Sequence, residues 1–493
     1  MSIIRRQGIK SIAYTYIGVG IGFISSILVL PRIISKDEYG LVQILIALPI
    51  LFAEYIGLGF STMMTRMFVY FKDSKSNHHG FMFLSTLWFM LGLVVFLVTF
   101  YFFRGYFIDE KNSALLSPYL FYAIPLTIAS HIYLVLERYL RYIHFNASFS
   151  IFLKEIGVRL GILGTAFLYY LKVIQFNQFV LLYCCSQVIP AAFLLGKLIW
   201  KKEISFRPQL DFIDRAMVIK MVRIALFGIA IGILASLAQS FTQVTLAKLI
   251  SLSAVSSYAI AVIMSNLISV PLRVTHSLSD PLLRMAFTAG DRNKVFEIYE
   301  KSCLIQTIVG LYFYLCVFLN IDHIVHVLPP TYTDCKFMIL VICLGTLFDM
   351  VTGANDAVIG TSPKYQYGSI FPVAMALFTV SFNLFLIPRY GVRGAAIATM
   401  ITFFLYNILR FLFILIFLKL QPYSLKYLIL LILAATIGLI VYFIPKLDNF
   451  IYDLILRIGL ISILWVGLIY RFNFSQDITN LINMGLKKIR WIK

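Results

Sequence analysis

Apolar runs of about twenty residues recur from one end of this chain to the other, with short polar stretches between them. A helix of that length spans the roughly 30 Å hydrocarbon core of a bilayer. Fourteen such runs are read, near 11–33, 41–64, 81–103, 118–140, 153–171, 178–200, 223–246, 254–279, 302–320, 337–359, 369–388, 394–418, 427–445 and 453–470. The pattern predicts an all-α polytopic membrane protein with 14 transmembrane helices. The polar gaps near 201–222 and 280–301 are the longest. In the first, "RPQLDFIDRAMVIKMVR" reads as an amphipathic helix at the membrane interface.

Composition agrees. Of the 493 residues 60% are hydrophobic and 13% charged, and mean hydropathy is +0.89. Soluble domains carry about a quarter charged residues, so one water-soluble core is excluded. The basic start "MSIIRRQGIK" leads into an apolar run reaching Pro31 and Arg32. That run is longer than a signal-peptide core and is read as a retained first span.

The net charge of +20 would suggest nucleic acid in a soluble protein. In a membrane protein it sets orientation instead. With the N-terminus inside, the inner segments hold 26 Lys and Arg and the outer ones 10. Basic residues collect in cytoplasmic loops, so both termini are placed in the cytoplasm. The sequon at Asn146 then faces the cytoplasm. The six cysteines show no metal spacing; adjacent Cys184 and Cys185 read as small packing residues.

An internal repeat is legible. "RIISKDEYG" from Arg32 aligns without gaps on "KLISLSAVS" from Lys248, an offset of 216. Each follows the first span of a six-span block. Six is even, so the halves enter the membrane in the same sense, as parallel repeats. The organisation predicted is an N-terminal lobe over 1–205, a second lobe over 206–420, and two added spans with a basic tail over 421–493.

Soluble-enzyme chemistry is missing. There is no Walker A sequence, no H-E-x-x-H and no D-x-D, and no outer loop is long enough to build an active site. "GVGIGF" from Gly18 lies within a span and serves close helix packing. No cofactor and no metal is expected.

Ionisable residues inside spans each raise a functional question, because charge in the bilayer core costs several kcal/mol. Glu54 lies mid-span in "LPILFAEYIGLGF", near Pro49, Gly57 and Gly59; it is either a coupling carboxylate or a neutral acid holding helices together. Arg273 and His276 share a face with Asp280, as a phosphate anchor or a structural pair. Asp349 and Asp356 are seven apart, on one helical face, and are candidate coupling carboxylates. Glu155 with Arg159, and Glu137 with Arg141, are spaced i,i+4 and neutralise themselves in the plain reading; Arg138 stands beside the second pair. Arg410 has Asn407 one turn back and either snorkels or faces a cavity. Arg66 and Lys248 end their spans, where snorkelling is the default. Prolines 49, 125, 190, 271 and 372 are expected to interrupt five spans. The candidate substrate contacts are Arg273, Arg66, Arg159, Lys248 and His276; the candidate coupling groups are Glu54, Asp349 and Asp356.

Three stretches carry a family resemblance: "NLFLIPRYGVRGAAIATMITFFLYN" from Asn383, "YIGVGIGFISSILVLPRIISKDEYGLVQ" at 16–43 and "GTSPKYQYG" at 360–368. They resemble bacterial polysaccharide flippases, the O-antigen-translocase branch of the multidrug/oligosaccharidyl-lipid/polysaccharide exporter superfamily. The resemblance implies two six-helix lobes around a central cavity plus two more helices. It implies alternating access and a polyprenyl-pyrophosphate-linked oligosaccharide moved to the periplasmic leaflet of the cell inner membrane. Membrane lipids and other polysaccharide assembly proteins, a polymerase and glycosyltransferases, are the implied partners; nucleic acid is not. A cation-coupled multidrug exporter of the same superfamily is the alternative, and a membrane glycan polymerase or ligase a second. In "RYGVRGAAIA", Gly394, Ala395, Ala396 and Ala398 are expected to let two spans pack closely behind a short turn.

Overall fold

The computed structural model describes residues 2–73, 77–108, 113–144, 148–209, 212–480 and 483. Asn146 and the basic tail 484–493 lie outside them. Every regular element among the described residues is helical. Ten helices are long and apolar enough to cross a membrane, or twelve if each of two bent pairs is one span. The longest, Tyr365–Leu418, has 54 residues, about 80 Å of straight helix and more than twice a bilayer core. Gly391 breaks it, with φ 57° and ψ −135°.

The chain forms two compact units, Met1–Ala259 with Met375–Ala395, and Ile260–Ala374 with Ala396–Lys493. In the first, Lys36–Ile56 is the central helix. Its start is fixed by a capping box: the Ser35 hydroxyl accepts the Glu38 N–H at 3.3 Å, and the Glu38 carboxylate accepts the Ser35 N–H at 2.8 Å. Ala123–His144 and Arg215–Leu249 pack against it. The helix breaks at Leu58 (φ 42°) and Gly59 (φ 72°), and Phe60–Phe71 continues along the Arg215–Leu249 helix. A Cβ on Gly59 would lie 2.0 Å from the Ala225 carbonyl oxygen. Gly228 and Gly232 lie on the same face of the Arg215–Leu249 helix. Added Cβ atoms there would meet Thr62 at 2.7 Å and Glu54 at 3.3 Å. These small residues let the long helix lie against the break. Below it Phe60, Met64, Phe68 and Phe71 pack with Phe81 and Leu194 into a closed apolar cluster.

The 216-residue repeat is visible in the helix ends. The offset carries Ile33, where one helix stops, onto Leu249, where another stops. It also carries Lys36 onto Leu252, where the next helices begin. Gly40 sits directly on Leu252, whose carbonyl oxygen would be 1.9 Å from a Cβ.

In the second unit, Arg292–Leu319 packs against Cys335–Val351, Leu425–Tyr442 and Phe450–Phe472. Asp453 ties the last two helices together. It is wholly buried and takes Arg457 Nε at 2.8 Å, His323 Nε2 at 2.8 Å and the Leu447 N–H at 3.2 Å. Arg457 also donates to the Val441 and Ile444 carbonyls, the free end of the preceding helix.

Two sequence expectations need correcting. The amphipathic stretch after 207 is not a separate helix: from Asp214, which caps it through the Met217 N–H, Arg215–Leu249 runs unbroken for 35 residues. The prolines also do not mark the breaks as a set. Pro49 and Pro190 lie within continuous helices, and Pro125 and Pro372 lie in first turns, where no helical N–H is lost. Only Pro271 adjoins a break, a 47° bend at Ser269. The other breaks fall at Gly57–Gly59, Thr352–Ala354 and Gly391.

Candidate functional site

A cavity of about 520 Å³ opens within the first unit. The helices carrying Glu54, Thr62, Arg138, Lys154, Gln187 and Gln239 line it. Its ion pair joins Arg138 Nη2 to Glu54 Oε1 at 3.4 Å, with both side chains partly exposed, 30% and 22%. Lys154 Nζ lies 4.9 Å from the centre of the Tyr133 ring. Two cations thus face one carboxylate.

The backbone behind Glu54 is fixed. Buried His131 meets the Ala53 carbonyl through Nδ1 at 3.1 Å and stacks on Phe89. Ser236 donates to the Leu51 carbonyl at 3.2 Å. Gly57 leaves room for the His131 ring, which an added Cβ would meet at 2.7 Å.

None of the five candidate substrate contacts, Arg273, Arg66, Arg159, Lys248 and His276, lines this cavity. Arg66 is exposed in the middle of the Phe60–Phe71 helix, not at the end of its span as expected. Arg159 pairs with Glu155 at 3.0 Å and lies in a notch made by Gly18 and Gly22, whose added Cβ atoms would come within 2.8 and 2.9 Å of its guanidinium. Gly18 and Gly22 of "GVGIGF" therefore serve close packing against a charged side chain, whereas Gly20 has nothing within 4 Å of an added Cβ. Lys248 sits 3.0 Å over the Tyr106 ring. Arg273 is exposed, His276 half-buried and Asp280 exposed; Arg273 makes no ion pair among the described residues.

Lys154 goes unremarked in the sequence, and Arg138 stands there only beside the Glu137–Arg141 pair, not as a cavity residue. A signal for Arg138 existed: Arg141 takes Glu137, the acid next to Arg138 in the chain.

Asp349 and Asp356 do not share one continuous helix. Gly353, with φ 58°, breaks it, and Cys335–Val351 and Asn355–Thr361 meet at 44°. Arg410 nonetheless gathers both carboxylates. It contacts Asp356, lies 3.9 Å from Asp349, and stacks 3.8 Å over Tyr406. Asn407 donates to Asp349 at 3.0 Å and accepts from Thr352 and Asn355. Arg410 is 5% exposed. Its position one turn from Asn407 thus places it in a polar network that reaches solvent through Asp356, rather than leaving a snorkelling charge.

The described residues thus form a helical, multi-span chain with broken helices and a polar cavity within the first unit. No family model matches the sequence, and no curated protein matches it. Among solved structures, the inward closed conformation of the lipid II flippase MurJ matches with a TM-score of 0.72 at 13% identity, over 94% of this chain and 99% of that one. An inward-facing multidrug resistance MATE family transporter of the MOP superfamily matches at 0.60 and 16%, over 84% and 94%. A MOP superfamily transporter from Pyrococcus furiosus matches at 0.57 and 15%, over 83% and 94%. The fold is that of MOP-superfamily transporters, a multi-pass membrane fold, as the three stretches quoted above led one to expect.

Proposed function

We propose that this chain flips a polyprenyl-pyrophosphate-linked oligosaccharide from the cytoplasmic to the periplasmic leaflet of the inner membrane, by alternating access and for surface polysaccharide such as O-antigen. The observation that carries this reading is the balance of charge in the first unit's cavity, where Arg138 and Lys154 face Glu54. A water-filled site with that balance attracts an anionic head and repels a cationic drug. The fold likeness to a lipid II flippase supports the same class of cargo. The chain acts as a transporter, not an enzyme, with both termini cytoplasmic. Glu54 is the coupling group of the first unit. Asp349 and Asp356 are the coupling candidates of the second, with Arg410 already holding their charge. Arg273 is proposed as a phosphate contact in the second unit.

Replacing both cavity cations tests the reading. Arg138→Gln with Lys154→Gln is expected to lower surface glycan at least about tenfold, the loss of roughly 1.4 kcal/mol of binding, while the protein stays in the membrane. The fold likeness to multidrug transporters supports the second reading, a cation-coupled drug exporter. Drug resistance conferred by the chain, without any glycan phenotype, would select it.

A further inference from the structure

We propose that Glu54 is a built-in competitor for the substrate's anionic head: it occupies Arg138 when the cavity is empty and gives it up to the incoming phosphate. This rests on reading the cavity as the substrate site. Arg138 has no partner on its own helix, because Glu137 is taken by Arg141. Its one ion pair among the described residues is a single contact to Glu54 at 3.4 Å, longer than the roughly 2.7–2.9 Å of a strong charge-assisted bond and not bidentate. A guanidinium has five N–H donors, so most of them remain for a ligand. Oxygens of a pyrophosphate match its fork better than one distant carboxylate oxygen does.

Glu54 cannot follow Arg138 if the arginine moves. His131 and Ser236 hold the carbonyls of Ala53 and Leu51, and the helix at Gly232 closes against the Glu54 side chain. The carboxylate therefore stays in the cavity when Arg138 turns to a ligand, with Lys154 the other cation there. An anion on Arg138 then meets Glu54 as a nearby like charge, which opposes its binding. The other ionisable groups around it are His131, Tyr133 and Arg138 on the Ala123–His144 helix, and Lys154. The facing parts of Phe60–Phe71, Phe176–Trp200 and Arg215–Leu249 contribute only neutral side chains such as Thr62, Gln187 and Gln239. Glu54 is thus the acid in the cavity whose charge opposes the cargo.

The test measures binding of geranylgeranyl pyrophosphate to the purified full-length protein in nanodiscs at pH 7.5. Glu54→Gln is expected to bind at least about fivefold tighter than wild type, the low end of usual coupling factors. Glu54→Ala gives the same comparison if Glu54→Gln does not accumulate. Arg138→Gln is expected to bind weakly, with Arg138→Lys recovering part of the loss. Glu54 variants that bind no tighter than wild type overturn the competition. Failure of wild type and both Glu54 variants to bind the probe, while ethidium binds, overturns the anionic-cargo reading itself.

Discussion

Each unit brings an arginine to carboxylates within helices, and the two arrangements differ in a way that assigns their roles. Arg138 meets Glu54 once, at 3.4 Å, with both side chains partly exposed to a cavity of about 520 Å³. Arg410 is 5% exposed, touches Asp356, Asp349 and Asn355, and lies on the Tyr406 ring. The first pair has room and spare donors, so it can exchange partners with a ligand. The second bridges two half-helices where Gly353 breaks the chain, and Asn407 joins Asp349, Thr352 and Asn355 beside it. The difference lies in the arginines: packing removes Arg410 from water and leaves Arg138 partly in it, while both sets of carboxylates keep contact with solvent.

The largest effect that separates the two regions is on stability. Arg410→Met leaves two carboxylates without their buried arginine; Asp349 is 25% and Asp356 55% exposed, so the cost is expected to fall below the roughly 3–5 kcal/mol of a fully buried pair. The protein is expected to fall sharply in the membrane fraction and to unfold at lower temperature. Arg138→Met removes a partly exposed pair, worth about 0–1 kcal/mol before solvent screening reduces it further. Its thermal unfolding should stay close to wild type while export is lost. Equal destabilisation by the two would abolish the distinction.

A smaller stability change with a clear transport effect is expected at Arg273. It is exposed on the Val270–Thr288 helix, so Arg273→Ala should move stability by about 0.5 kcal/mol or less. Surface glycan should disappear with protein level unchanged; normal export would remove Arg273 from the substrate path.

The smallest effect lies outside the spans. Lys336 and then Lys446 hydrogen-bond Asp322 and hold its carboxyl down from an ordinary value near 3.8 to about 2. A lowered carboxyl stabilises the fold above pH 3.8 and loses that contribution as pH falls toward 2. Asp322 is half exposed, so Asp322→Asn should cost about 1 kcal/mol or less at pH 7. The difference from wild type should shrink below pH 3 in an unfolding titration.

The sequence alone determined much of this protein. Apolar run length fixed the membrane class, because a helix must be long enough to cross hydrocarbon whatever it packs against. The 216-residue offset between Arg32 and Lys248 located two matching helix ends. The small residues of "RYGVRGAAIA" marked close packing: Ala395, Ala396 and Ala398 are fully buried, and Gly394 lies against the Leu386 carbonyl. These features are local, and local spacing is what a sequence states directly. The breaks were less legible. Proline removes one hydrogen bond that neighbouring helices can replace, whereas Gly59, Gly353 and Gly391 take backbone angles other residues avoid. Only the tertiary structure decided which charges meet. Glu54 finds Arg138 at a separation of 84 residues and Asp356 finds Arg410 at 54. No periodicity along one helix encodes the face that another helix turns toward it, and that facing separates a partly exposed arginine from a buried one.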